Sequence, residues 1–183
     1  MEIIEHIKWW RVNRVFSQDE GDKIQAYIRG HVLLNFAHGK RDDAIKRTFV
    51  TKSSPLKYIF EELDVELREY FKDYILNTDR LRVELCADAQ GMWIDPHYDI
   101  TEKSFTMQVF LGHGSTDGTI FHFEEGYDYE VPWVGNCGYV IVRDKPLLHS
   151  LNRVKQKVRH TVLINYVKYP ILIVHSCLGL DLR

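Results

Sequence analysis

Two hydrophobic periodicities divide the chain. Leu56, Ile59, Phe60, Leu63, Leu67 and Phe71 recur at intervals of three and four, the spacing of one buried helix face. Ser54 followed by Pro55 supplies an N-cap and a proline at the first helical position, so a helix is expected to open there. An earlier helix is expected through residues 22–36 (DKIQAYIRGHVLLNF), opened by the capping box of Ser17 and Glu20, although Gly21 and Gly30 weaken it. From residue 104 onward the pattern changes. Aromatic and β-branched runs at 104–111 (SFTMQVFL), 119–124 (TIFHFE), 139–143 (YVIVR) and 159–167 (RHTVLINYV) are separated by Gly-rich breaks at 112–118 and 135–138.

Many short strands with glycine turns point to a β-sandwich or barrel. The expected architecture is therefore mainly β with supporting N-terminal helices: helical support over residues 1–80, packed on the outside of one sheet, and a β core over 81–176. Neither repeats nor a second domain are evident, and 183 residues with 45% hydrophobic content suit one domain, 1–183, with a single sizeable core. The charged segment 37–54 between the two helices is expected to be a loop over the mouth of a pocket.

Charge and cysteine content narrow the function classes. A net charge of −2 gives no general drive toward nucleic acid or an anionic membrane. Cys86, Cys137 and Cys177 are odd in number and scattered, without C-x-x-C spacing, so neither a disulfide framework nor a thiolate zinc site is expected. Reduced thiols fit a cytoplasmic setting. The first fifteen residues lack the apolar core of a signal peptide, and no run approaches transmembrane length.

The candidate chemistry lies between His97 and Arg159. His97 and Asp99 form an H-x-D pair, His149 stands alone after two leucines, and Arg159 follows ten positions later. With nine histidines in the chain, about one His-x-acid pair is expected by chance, so the pair alone carries little. Geometry adds weight. On a strand, residues i and i+2 share a face, so His97 and Asp99 can grip one ion while Tyr98 points away. The interval to His149 holds about four strands with turns, the path a small barrel needs to bring a second imidazole back. Two imidazoles and one carboxylate on one face of an octahedron leave three positions open for other ligands. A competing pair, His122 and Glu124, leaves room for only about two strands before His149.

Taken singly, His149 reads as a half-buried structural side chain. Arg159, within the alternating RVKQKVR of residues 153–159, reads as part of a solvated hairpin. Their joint placement is what points to a metal.

The order of these pieces resembles the 2-oxoglutarate- and iron(II)-dependent dioxygenases, in their prolyl-4-hydroxylase-like branch. The matching pieces are HYD at 97–99, GTIF at 118–121, GNCGYVIVRDKPLLHSLNRV at 135–154 and RHT at 159–161, spanning about residues 82 to 167, nearly half the chain. The resemblance implies a double-stranded β-helix, the cupin-like jelly roll. It implies Fe(II) on His97, Asp99 and His149, with 2-oxoglutarate and O2 as co-substrates. Arg159, with Thr161 on the same strand face, would hold the far carboxylate of 2-oxoglutarate, a task suited to a guanidinium fork. The implied reaction is hydroxylation of a C–H bond in a small molecule, amino acid or peptide, with release of succinate and CO2. One departure is that relatives often carry a tyrosine on the strand after H-x-D, where this chain has Gln108 or Phe110.

Two further readings of the barrel stand beside this one. A nucleic-acid demethylating oxygenase would have a second arginine shortly after Arg159, where Tyr166 and Val167 stand; nucleic acid is not an expected partner. A cupin-like metal or small-molecule binding protein without turnover would leave Arg159 without a task, and the cupin H-x-H spacing is absent. For substrate, Glu124, Glu125, Asp128 and Glu130 among Tyr127, Tyr129 and Trp133, joined by Trp93, suggest an acidic aromatic rim attractive to a cation. The plain reading of that segment is an exposed hairpin with Trp133 packed beneath it.

Overall fold

A computed structural model of the protein describes residues 1–35, 47–112 and 117–168. Two sheets face each other, antiparallel throughout except where Leu34–Asn35 pair in parallel with Ala87–Asp88. The larger contains β1 (Glu2–Glu5), β2 (Trp10–Asn13), β10 (Cys137–Val142), β7 (Lys103–Leu111), β12 (Val158–Val167), β5 (Arg80–Ala89) and β3 (Leu34–Asn35) in that spatial order, with β4 (Thr48–Phe49) also on β5. The smaller is ordered β6 (Ile94–His97), β11 (Leu148–Leu151), β8 (Thr119–His122), β9 (Asp128–Val131). From β5 to β12 the chain passes back and forth between the sheets, apart from the β8–β9 hairpin within the small one, which is the double-stranded β-helix expected from the sequence.

Burial follows from this arrangement. β7 is buried along its whole length, because one face meets the helices and the other meets the small sheet. The helix-side core joins Ile24 and Ile28 of α1 (Gln18–His31) and Ile59, Phe60, Leu63 and Leu67 of α2 (Lys57–Tyr70) to Val83, Leu85, Phe105, Met107, Val162 and Ile164. Phe110, Tyr139 and Ile141 of the large sheet meet Phe121 and Val131 of the small one in a second cluster. Gly138 permits the close approach of β10 to β7, since a Cβ there would stand 1.8 Å from the Gln108 carbonyl oxygen.

The N-terminal region departs from the helical expectation. It adds four short strands to the large sheet, β1 to β4, beside its two helices. α1 is capped as expected, with Ser17 accepting from the Glu20 backbone and Glu20 accepting from Ser17 N, but it ends at His31 rather than 36. Val32 is already extended, and Leu34–Asn35 pair in parallel with Ala87–Asp88 of β5, where an open edge offers hydrogen bonds. α2 begins two residues beyond Pro55: Ser54 Oγ accepts from Leu56 N at 3.3 Å, and the regular helix starts at Lys57. The expected loop at 37–54 falls largely outside the described residues; its described part includes β4. Residues 169–183, including Cys177, also lie outside them, while Cys86 and Cys137 are free thiols. No helix among the described residues is long and apolar enough to cross a membrane.

Candidate metal and co-substrate centre

β6 is an edge strand, which is why it accommodates Pro96, a residue with no N–H for a central ladder. Its last residue, His97, pairs in register with His149 of β11, and the two imidazole centroids stand 4.4 Å apart. Both rings are fixed the same way. His97 Nδ1 lies 2.8 Å from the Asp95 carbonyl oxygen, and His149 Nδ1 lies 2.9 Å from that of Leu147. A carbonyl only accepts, so each Nδ1 carries the proton and each Nε2 is the basic nitrogen. That second contact is the usual orienting device of a metal-bound histidine.

Asp99 lines the same cavity, of about 60 Å³, as His97, His149 and Arg159. It lies in the connection after β6, not on the strand as the i, i+2 argument assumed. Its Oδ1 accepts from Lys103 Nζ at 2.8 Å. Burial alone would raise its pKa, but the ammonium of Lys103 and the nearby His149 overturn this and hold the carboxyl well below the usual range. Among the described residues, no three His, Cys, Asp or Glu side chains gather into a ready metal cluster. The pattern thus brings the two imidazoles side by side, tilted 53° to each other, while the carboxylate shares their cavity and is turned to a lysine.

Arg159, 2% exposed, projects from β12 over the Phe110 ring, with Cζ 5.2 Å from the centroid. Its Nη1 donates to Asp88 Oδ2 at 2.9 Å, directly across the register on β5. Its Nε and Nη2, and the hydroxyl of Thr161, are buried without a hydrogen-bond partner. Undischarged donors of this kind are costly, and they match the two oxygens of an entering carboxylate. Asp117 fixes the approach to this strand by accepting from Lys155 N and Gln156 N at 3.0 and 2.9 Å.

Several lining residues escaped the sequence reading. Lys103, on the lining, and Asp88, beside Arg159 but off the lining, are buried charges whose partners are set by the fold, and nothing local marks them. Gln108 rather than Phe110 faces the cavity: its Oε1 accepts from Thr119 Oγ1 at 3.0 Å and Tyr139 Oη at 2.6 Å. A tyrosine hydroxyl therefore does reach this position, from β10 rather than β7. Arg47 also lines the cavity and is paired with Glu84, whose carboxyl burial would raise but Arg47 and Arg82 hold low.

Other candidates separate from the centre. His122 is engaged on both nitrogens, by Asp128 and Ser150 at 2.8 Å each, while Glu124 is exposed and 3.8 Å from Lys8. Residues 124–130 form the tip and second strand of an exposed hairpin turning at Gly126, with Trp133 buried and donating to the Leu111 carbonyl. None of them lines the cavity, and Trp93 stacks instead with Arg153, 4.2 Å from its ring centroid.

Comparison with known proteins places this fold. No family model matches the chain, and no curated protein does. Solved structures do. A prolyl-4-hydroxylase from Pseudomonas putida superposes with a TM-score of 0.69 at 10% identity, over 89% of this chain and 94% of that one. A viral collagen prolyl hydroxylase from Paramecium Bursaria Chlorella virus-1, in complex with 2OG, gives 0.65 at 14% identity, over 88% and 96%. The non-haem α-ketoglutarate-dependent epimerase of nogalamycin biosynthesis gives 0.63 at 17% identity, over 96% and 88%. The chain has the double-stranded β-helix fold of these oxygenases. The neighbours fall in the superfamily, and several in the prolyl-hydroxylase branch, that the motif order resembles.

Proposed function

We propose that this protein is an Fe(II)- and 2-oxoglutarate-dependent oxygenase that hydroxylates a C–H bond of a small molecule, amino acid or peptide, releasing succinate and CO2. The observation that supports it best is that one cavity joins two adjacent, Nδ1-protonated imidazoles and an ionised carboxylate to a buried guanidinium with unused donors.

The donor set fits the metal and co-substrate that the fold's relatives use. His97 and His149 would present Nε2, and Asp99 its carboxylate, an N/O set compatible with iron(II). Bound there, iron and 2-oxoglutarate would supply the oxidising power for C–H hydroxylation, chemistry that no side chain of this protein has. The protein's own share is positioning. Arg159 and Thr161 would hold the distal carboxylate, Asp88 orients the guanidinium, and Phe110 supports its face. Gln108, Thr119 and Tyr139 form a fixed polar wall. Incubation with Fe(II), 2-oxoglutarate and oxygen should yield succinate, and His149→Ala should abolish it.

One feature favours a second reading, a small-molecule binding barrel without turnover. Lys103 neutralises Asp99 and Asp88 neutralises Arg159, so both key charges are balanced without any ligand. Stoichiometric 2-oxoglutarate binding with no succinate above the His149→Ala background would select it. A demethylase acting on nucleic acid gains no support: Tyr166, near where such relatives carry a second arginine, is buried in the helix-side core and donates to Asp64.

A further inference from the structure

A second cavity of about 280 Å³ adjoins the candidate centre at the start of β7 and the end of β10. Asp99, Lys103 and Thr106 line both cavities, so the two share a wall. The rest of the larger one is mostly apolar, with Ile100, Phe105, Ile141, Pro146 and Leu147 among its walls and Arg143 beside them. Ile100, one of the lining residues, is 40% exposed, so the apolar wall reaches the surface.

Charge decides what kind of occupant fits. The lining holds one carboxylate, Asp99, against two cations, Lys103 and Arg143. Lys103 is already committed to Asp99 at 2.8 Å. Arg143 is not comparably engaged: its ion pair is a loose 3.7 Å contact with Asp144, whose side chain is 69% exposed. The cavity therefore presents greasy walls and one under-used guanidinium, the reverse of the cation-attracting rim suggested by residues 124–130, which lie elsewhere.

We propose that this cavity binds a small apolar molecule bearing a carboxylate or similar anionic group, with the apolar body against Ile100, Ile141 and Leu147 and the anion held by Arg143. That the occupant is the molecule hydroxylated rests on the oxygenase reading, because its body would lie beside Asp99; the binding site itself does not. The volume lies just below the usual range for ligand pockets, which favours a compact aryl or short-chain acid over a folded peptide.

The test uses two fluorescent probes of similar shape on the metal-free, full-length protein: 1-anilinonaphthalene-8-sulfonate, which is anionic, and N-phenyl-1-naphthylamine, which is not. Both should bind saturably. Arg143→Gln should weaken the anionic probe about tenfold, the loss of one charge-assisted contact, and leave the neutral probe unchanged. Ile100→Glu should weaken both, and the anion more. Both positions are at the surface, and an unchanged far-ultraviolet spectrum checks the fold. If neither substitution moves either probe, or if Arg143→Gln moves both alike, the proposal is overturned. Metal and 2-oxoglutarate play no part in the titration, so its failure and that of the oxygenase reading are scored separately.

Discussion

Arg159 serves two ends, and substitution can separate them. Replacing it by Met leaves Asp88 buried without its guanidinium. Removing one partner of a buried pair costs about 3–5 kcal/mol, and Asn35 Nδ2, which still donates to Asp88 Oδ1 at 3.0 Å, favours the low end, roughly 3. Asp88→Asn in the same chain removes the stranded charge, so the double variant should recover to within about 1 kcal/mol of wild type. Urea unfolding followed by tryptophan fluorescence reads these differences. Co-substrate binding should follow another order. Losing two buried charge-assisted donors costs about 3 kcal/mol or more, at least ~100-fold in affinity, in both the single Arg159→Met and the double variant. Asp88→Asn alone keeps Arg159 and should bind 2-oxoglutarate no more weakly than wild type. Calorimetric titration with Mn(II) as a redox-silent metal measures this. Wild-type affinity in Arg159→Met, or loss of affinity that tracks loss of stability through all three variants, would refute the assignment.

Lys103→Met should lower the stability of the metal-free protein, because Asp99 loses its buried counter-charge, yet increase the thermal stabilisation given by Mn(II), since the metal then supplies that charge; thermal scans with and without metal show both. Burial, helped by Arg29, holds the His160 imidazole below its ordinary value of 6.5. The folded state favours the neutral ring, so its contribution is fully present above pH 6.5 and is lost as pH falls through the lower folded value; urea midpoints at pH 7.5 and 5.5 should differ less in His160→Gln than in wild type. Gly138→Ala forces a methyl onto the Gln108 carbonyl and should destabilise by about 1–3 kcal/mol or more, displacing Tyr139 with β10, as urea unfolding would show.

The parts of this fold legible in the sequence are those with long or punctuated patterns. The runs at 104–111, 139–143 and 159–167 became β7, β10 and β12 within two residues at each end, and the stripe from Leu56 to Phe71 is buried as one face. β1 and β2 were not legible, because four residues each, EIIE and WRVN, are too short to show a period, and the pairing of β2 with β10 is remote in sequence. β3 was hidden inside a helical pattern: Leu34 continues the apolar spacing of α1, and only the open edge of β5 makes it a strand. At the centre, the spacing of His97 and His149 anticipated two strands brought side by side. The sequence contained no sign that Asp88 and Lys103 would meet Arg159 and Asp99, since a buried charge is recognised only by the partner the fold brings to it.

The most direct measurement is anaerobic titration of the protein with Fe(II) and 2-oxoglutarate, watching for the weak visible charge-transfer band of the chelate in wild type and in His97→Ala. A saturable band in wild type that is absent from His97→Ala is the expected result. No band in wild type, with metal shown to be bound, would contradict the oxygenase reading and leave a metal-binding barrel.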